Sequence, residues 1–582
     1  MSILRPFAGA ASAVTAPART RLAADAVVLV AFAALLWAVV DLSHGVLVPF
    51  DPNRDVAGVS TDLTNLPYDA ARSLLRMFVG LALSLVFTFV YATAAARSRR
   101  AEKVLIPILD ILQSVPVLAF LSVTLSVWLV LFPNSELGVE CASVFAIFTS
   151  QAWNMTFAFY GALTSQPREL DEAARLLRLS RWQRFWKLDV PSGMIPLVWN
   201  GMMSFGGAWF FLVASEVISV NNHTYALPGI GSFVASATAD ENIPALLAAI
   251  VTMVIMVVGV NTLFWSPLTA WAERFRVGDT APASAPRSVV LDVLRHSGLP
   301  GLLGRALRPL REGIDRAMRV FGVADVPLSV DRGRRRIGDV VFGVAVTVLV
   351  VWGGVVMLRS ISSSIGLDEF AVAAGLGLIT FARVLVLVIV GTLVWVPVGV
   401  WIGMNPRVTR FAQPIVQVLA SFPANFLFPF VTLLLIQTGI SLDVGGIFLM
   451  SLGAQWYILF NVIAGASAIP GDLREAATHL GLSRWLRWRT VILPAVFSAW
   501  VTGGIAAAGG AWNASIVAEV VTYGSTTLTA TGLGSYIAQA TATGDTARTY
   551  VGVIVMSVFV VALNRAVWRP LYRLAQTRFQ LA

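Results

Sequence analysis

Runs of about twenty apolar residues recur along this chain, and they leave it little choice of fold. Leu74–Ala96, Val104–Phe132, Cys141–Leu163 and Val444–Ala468 each reach the length that spans a bilayer as helix. Helix is the expected form because lipid offers no partner to an open strand edge. About twelve such segments are counted by that measure. The first half adds Ala26–Val40, Met194–Val217 and Leu246–Trp265. The second adds Val340–Leu358, Val384–Ile402, Ile415–Ile436, Ala495–Val517 and Tyr550–Val567. Only 13% of the 582 residues are charged, against about 25% in a soluble protein. The fold class expected is an all-α polytopic membrane protein. Met1–Ala24 lacks the compact apolar core and small-residue cleavage site of a signal peptide.

A net charge of +10 raises the question of nucleic acid, and its distribution answers against it. The basic residues fall in alternate loops: Arg97 to Lys103, Arg168 to Lys187, Arg274 to Arg336, Arg407 and Arg410, Arg474 to Arg489, and Arg569 to Arg578. The intervening loops are poor in Arg and carry Asp41, Asp51, Asp55, Asp62, Glu136, Glu140, Asp240 and Glu241. By the positive-inside rule the basic set is cytoplasmic, and both termini are then inside. A single cysteine and four scattered histidines give no disulfide framework and no metal-ligand spacing.

The chain is written twice. Glu172-Ala173-Ala174 returns as Glu475-Ala476-Ala477, a displacement of 303 positions. The same displacement carries Pro191 to Pro494, Gly206-Gly207 to Gly509-Gly510, Trp209 to Trp512, Glu216 to Glu519, and Gly229 and Gly231 to Gly532 and Gly534. Upstream the displacement is 307: Arg76 maps to Arg383, Arg100 to Arg407, Pro107 to Pro414 and Pro116 to Pro423. Shared apolar composition would repeat Leu and Val; it would not align Trp, Pro and Gly. Two parallel repeats of six spans imply a pseudo-twofold axis along the membrane normal, with a solute path between the halves. The expected organisation is a first half at 1–271, a cytoplasmic amphipathic linker at 272–337 and a second half at 338–582. In the linker, Val289, Val293, Leu303, Leu307 and Leu310 interleave with Arg295, Arg305, Arg308 and Arg311. That pattern suits a tether lying on the anionic inner leaflet; a regulatory domain is the alternative.

The loop after the fourth span of each half carries the functional signal. The second reads Glu475-Ala476-Ala477, Gly481, then Val491-Ile492-Leu493-Pro494. The first reads Glu172-Ala173-Ala174, Arg178, then Leu188-Asp189-Val190-Pro191. Both predict helix, turn, helix, with Gly481 free to take positive φ. Ser180-Arg181-Trp182-Gln183 forms a capping box, Ser483 keeps only the cap, and the prolines mark the start of the next span. Arg178 in a left-handed turn would cost on the order of 1 kcal/mol. Either its turn differs, or the first loop docks less tightly. Two loops of this kind at matching places resemble the EAA loop of binding-protein-dependent ABC importer permeases. The second loop fits that family's pattern throughout; the first departs at Arg178 and at Val190, where Leu is usual. Arg76, the Arg100 loop, Pro116, Glu216 and Gly229-Ile230-Gly231 resemble the nitrate, sulfonate, taurine and bicarbonate branch. Within it the chain most resembles the duplicated anion-transport permeases, on the stretches Trp153–Phe157 and Gln455–Asn461.

That resemblance implies the type I ABC importer fold, with five core helices and one peripheral helix per half, in a bacterial cytoplasmic (inner) membrane. It implies two ATPase subunits on the cytoplasmic side, which bind ATP and Mg, and a solute-binding protein outside. The chain itself has no phosphate-binding loop, since its only lysines are Lys103 and Lys187. It is expected to be no enzyme, to hold no cofactor or metal, and to contact lipid but no nucleic acid. Glu172, Ala173, Ala174, Arg178, Glu475, Ala476, Ala477 and Gly481 are the candidates for ATPase coupling. Arg76, Trp209, Glu216, Arg383, Trp512, Asn513 and Glu519 are the candidates for the translocation path. Intramembrane charges are functional by default, but Arg76 and Arg383 could equally pair with Glu216 and Glu519 within each half. Trp209, Trp512 and Asn513 could serve packing. Asp110 maps to Gln417, an asymmetry that could touch the solute, or Asp110 could simply sit near the membrane interface. A 6+6 secondary transporter and a membrane scaffold are the competing classes; neither requires paired Glu-Ala-Ala loops.

Overall fold

A computed structural model describes residues 22–30, 33, 59–275 apart from 134, 221 and 222, 288–318, and 343–578 apart from a few positions between 345 and 360. The expected span Val340–Leu358 is described only in part, and Ala26–Val40 lies largely outside these residues. So do residues 280–287 and 319–337 of the linker, and Asp41, Asp51 and Asp55.

The first half runs α1 (Leu66–Arg97), α2 (Arg99–Ser114), α3 (Val117–Leu131), α4 (Leu137–Thr164), α5 (Arg168–Leu176), α6 (Arg181–Arg184) and α7 (Val190–Glu216). A hairpin of β1 (Val217–Val220) and β2 (His223–Ala226) follows, then α8 (Ile230–Ala239), α9 (Ile243–Val260) and α10 (Ser266–Ala272). The linker holds α11 (Val289–His296), α12 (Leu299–Ala306) and α13 (Arg308–Met318). The second half repeats the order: α14 (Glu369–Gly403), α15 (Pro406–Ser421), α16 (Phe428–Thr438), α17 (Leu442–Ser467), α18 (Gly471–His479), α19 (Arg484–Arg487) and α20 (Leu493–Ala518). Then come β3 (Val520–Tyr523), β4 (Thr526–Thr529), α21 (Leu533–Thr543), α22 (Thr546–Leu563) and α23 (Arg569–Arg578). Even a fine irregularity recurs at the 303 displacement. Phe185–Asp189 and Asn261–Trp265 are π-turns, and so are Trp488–Ile492 and Asn564–Trp568.

Among the described residues, seven helices are long and apolar enough to cross a membrane, or eight if one bent pair counts as a span. Two spans expected as single helices are broken. Val104–Phe132 divides into α2 and α3 at Val115-Pro116, and Ile415–Ile436 divides at Phe422-Pro423. In the second case the two segments meet at 84°. Proline lacks the N–H that would continue the helix, and its ring drives the preceding residue out of the helical region. Val115 and Phe422 are accordingly extended. Pro191 and Pro494 stand in the first turns of α7 and α20, as expected, and the π-turns join these helices to α6 and α19 as the continuous spans Arg181–Glu216 and Arg484–Ala518. The eighth span is also longer than its apolar run, so Arg383 lies well inside α14 rather than near its end.

The broken spans join the halves. Val117, Leu118, Leu121 and Leu125 of α3 bury into the core of the second half, beside Trp512 and Val555. Phe426 in turn belongs to the core of the first, with Trp209 and Trp265. Each half thus closes its core with the broken span of the other.

Candidate functional site

Both Glu-Ala-Ala loops have the same backbone. Leu177 N–H donates to Ala173 O at 3.0 Å and Leu179 N–H to Ala174 O at 3.1 Å. Leu480 and Leu482 repeat these bonds to Ala476 and Ala477, at 2.9 and 3.2 Å. The residue between is left-handed in both, with φ of 44° at Arg178 and 61° at Gly481. So the turn does not differ: Arg178 takes the conformation that Gly481 takes freely, against the Cβ clash that disfavours it. The capping box on Ser180 and Gln183 forms, and Ser483 caps without a partner, as read from sequence. Glu172, Ala173, Glu475 and Ala476 are exposed, whereas Ala174 and Ala477 are buried. Leu176, Leu177 and Leu480 are exposed beside them.

What differs is the anchoring. In the first loop Asp171 pairs with Arg184, with Arg175 at 3.0 Å and with Arg97 at 3.8 Å. Arg97, the last residue of α1, also binds Asp189. Burial acts to raise the Asp171 pKa, but Arg184 and Arg175 outweigh it and hold the carboxyl below its ordinary range. In the second loop Arg474 stands in place of Asp171, Met404 in place of Arg97 and Ile492 in place of Asp189. Arg474 reaches Met404 O at 3.5 Å, and Arg487 donates to Thr478 Oγ1 at 2.9 Å. The linker's α13 packs against α6 of the first loop.

The intramembrane charges form two buried clusters. Arg76 donates to Glu216 at 2.6 Å and to both oxygens of Glu140 at 2.6 and 2.7 Å. Arg72 shares Glu140 at 2.5 Å, and Ser73 Oγ donates to Glu216 at 2.5 Å. In the second half Arg383 pairs with Glu519 at 2.9 Å and Asp443 at 2.6 Å, and Thr380 Oγ1 donates to Glu519 at 2.8 Å. Glu140 therefore sits in α4 as a buried partner, not in an outer loop as its charge pattern suggested. Glu140 maps to Asp443 and Ser73 to Thr380 at the two known displacements; extending the repeat search to carboxylates and hydroxyls finds both. The glycines after each hairpin complete the cradle, with Gly231 N–H donating to Glu216 at 2.6 Å.

Between the halves lie two spaces. One is lined by Trp209, Gly206 and Asn261 with Gln417 and Ser421. The other, the larger, is lined by Gly207, Phe210, Phe211, Phe422, Tyr457, Gly510 and Asn513. Asn513 Oδ1 accepts from Val117 N–H at 2.8 Å, so it caps the broken span of the other half. Its repeat partner Phe210 accepts, through its carbonyl, from Asn425 at 3.3 Å. Trp512 is buried and lines neither space. Asp110 pairs with Arg569 of the second half at 2.9 Å, while Gln417 donates to Asn261 at 3.1 Å. No cluster of potential metal ligands occurs among the described residues.

Duplicated helical halves, broken spans crossing between them and paired helix-turn-helix loops define a polytopic membrane permease. The chain belongs to the family of binding-protein-dependent transport system inner membrane components, whose model matches twice, at residues 80–275 and 395–568. It is similar to the nitrate import permease protein NrtB of Leptolyngbya laminosa, 28% identical over 195 residues, which are 33% of this chain and 64% of that protein. The bicarbonate transport system permease protein CmpB of Synechococcus elongatus is 27% identical over 204 residues, 35% of this chain and 66% of that protein. The probable ABC transporter permease protein YqgI of Bacillus subtilis is 30% identical over 132 residues, 20% of this chain and 43% of that protein. The chain thus spans just under two thirds of the nitrate and bicarbonate relatives.

Proposed function

We propose that this chain carries two permease halves of an ABC importer for a small anion such as nitrate, bicarbonate or a sulfonate. The single observation that carries this is the repeated coupling loop, with the same turn at Arg178 and Gly481, in a chain matched twice by the family. The names of the nitrate and bicarbonate permeases support the anion. Two separate ATPase subunits, which bind ATP and Mg, engage the exposed faces of α5 and α18 from the cytoplasm. A solute-binding protein delivers the anion outside. Closure of the ATPases moves both loops, and the halves rock to open the space between them alternately. The division at 1–271, 272–337 and 338–582, with both termini inside, follows the same reading.

In this scheme Asn513 and Trp209 border the path. Arg76–Glu216 and Arg383–Glu519 brace its walls, because ion pairs this buried leave no open charge for a passing anion. The test is uptake of labelled nitrate and bicarbonate by proteoliposomes holding the chain, its ATPases and its binding protein. Uptake should require ATP. Uptake that persists without ATP, in vesicles holding the chain alone, would establish a 6+6 secondary transporter instead.

A further inference from the structure

Tyr457 stands a little past the middle of α17 and lines the larger space between the halves. Its ring lies between two glycines from opposite halves. A methyl group added at Gly207 would stand 3.1 Å from the Tyr457 hydroxyl, and one at Gly510 would stand 3.6 Å from its Cε2. These glycines are equivalent in the repeat, each the second of a Gly-Gly pair. The tyrosine is not matched in the same way. Its counterpart, Asn154, is exposed and accepts from Gln113 at 3.2 Å. One aromatic side chain therefore reaches from the second half toward the first, off the symmetry that governs the rest. Among the described residues its hydroxyl has no hydrogen-bond partner, although an inward-facing tyrosine ordinarily finds one. The space around it is lined by Phe210, Phe211 and Phe422, with Asn513 the other polar side chain and no charged one.

We propose that Tyr457 is the selectivity residue of the path. Its hydroxyl donates to the anion in transit, and its ring closes the gap between Gly207 and Gly510 when no anion is there. The proposal rests on the permease reading above. It also narrows the substrate. A site with neutral donors compensates the lost hydration of a singly charged oxoanion far better than that of a dianion, whose desolvation cost grows with the square of its charge. The path therefore passes monovalent oxoanions and rejects sulfate.

The experiment uses the chain with its ATPases and binding protein in proteoliposomes, with labelled nitrate, bicarbonate and sulfate as probes. Tyr457→Phe keeps the ring and removes only the donor. It should lower uptake of the transported monovalent anion about tenfold or more, the range for a hydrogen bond to a charged group. Its melting temperature should match the parent's, since no protein group loses a partner. Tyr457→Ala should raise ATP-independent leak of the same anion by opening the gap. Uptake by Tyr457→Phe within about twofold of the parent, or parental uptake of sulfate at a rate near that of nitrate or bicarbonate, overturns the proposal. A parent that carries none of these anions with ATP overturns the nitrate and bicarbonate reading of the path and this proposal together. A parent that carries one, with an unaffected Tyr457→Phe, overturns the tyrosine's role alone.

Discussion

Gly229→Ala should be among the most damaging single-methyl changes in the molecule, although its backbone needs no glycine. Its φ is 174°, extended geometry that any residue adopts. The reason is distance: a Cβ there would stand 2.3 Å from Glu216 Oε1 and 2.4 Å from its carboxyl carbon. Ordinary contact begins near 3.4 Å, so the carboxylate must withdraw by about 1 Å. It is held by Arg76 at 2.6 Å, Ser73 at 2.5 Å and Gly231 N–H at 2.6 Å. That movement stretches these bonds beyond useful length. Bonds to a charged group are each worth about 1.5–3 kcal/mol, and a buried pair broken on one side costs about 3–5 kcal/mol. We expect a loss in that second range. Gly259→Ala is the control, since a methyl there meets nothing within 4 Å and the residue lies inside the continuous span Ile243–Phe275. It should gain about 0.5–1 kcal/mol. In detergent, followed by tryptophan fluorescence, Gly229→Ala should melt on the order of 5 °C below the parent. Gly532→Ala should do the same, because its Cβ would stand 2.3 Å from Glu519 Oε2. If Gly229→Ala melts with the parent, the carboxylate cradle is not what these glycines serve.

The two loops should respond unequally to matching changes. Glu475→Ala should reduce ATP-driven uptake more than Glu172→Ala, because the first loop keeps its ion pairs to Arg97 and Arg184 without Glu172. Equal losses at equal expression would remove the asymmetry. The Asp171 carboxyl lies below its ordinary pKa of 3.8, so its contribution is complete above that value and is lost only as pH falls through the lower, folded one. Uptake in the parent should therefore show no Asp171-dependent change from pH 5 to 8. Asp171→Asn should imitate the acid state at neutral pH, at about 1 kcal/mol or less, since the carboxylate is about a third exposed. A midpoint near pH 6 that Asp171→Asn removes would contradict this.

What the sequence disclosed and withheld follows from the range of each signal. The repeat displacements placed the turns of the Glu-Ala-Ala loops correctly, because a turn is set by residues within a few positions of one another. They also brought Arg76 to Glu216 and Arg383 to Glu519, because charges in lipid must find partners at their own depth. The change of displacement from 307 to 303 has a structural place as well. Pro116 to Glu140 spans 24 positions and Pro423 to Asp443 spans 20, so the difference falls between the broken span and the helix that follows it. The breaks themselves were missed although Pro116 and Pro423 were noticed, since an apolar window records composition and is blind to a bend. Contacts between the halves were withheld most completely. Val117 with Asn513, Asp110 with Arg569 and Tyr457 with Gly207 join residues far apart in the chain, and two of these three have no equivalent in the repeat. A duplicated sequence reports what the halves share. Departures from symmetry can be read only where both halves meet: an ion pair on one side of the axis, a left-handed arginine on one loop, and one tyrosine across the gap. On the proposed reading, it is at such positions that a path built from two like halves acquires preference for one solute.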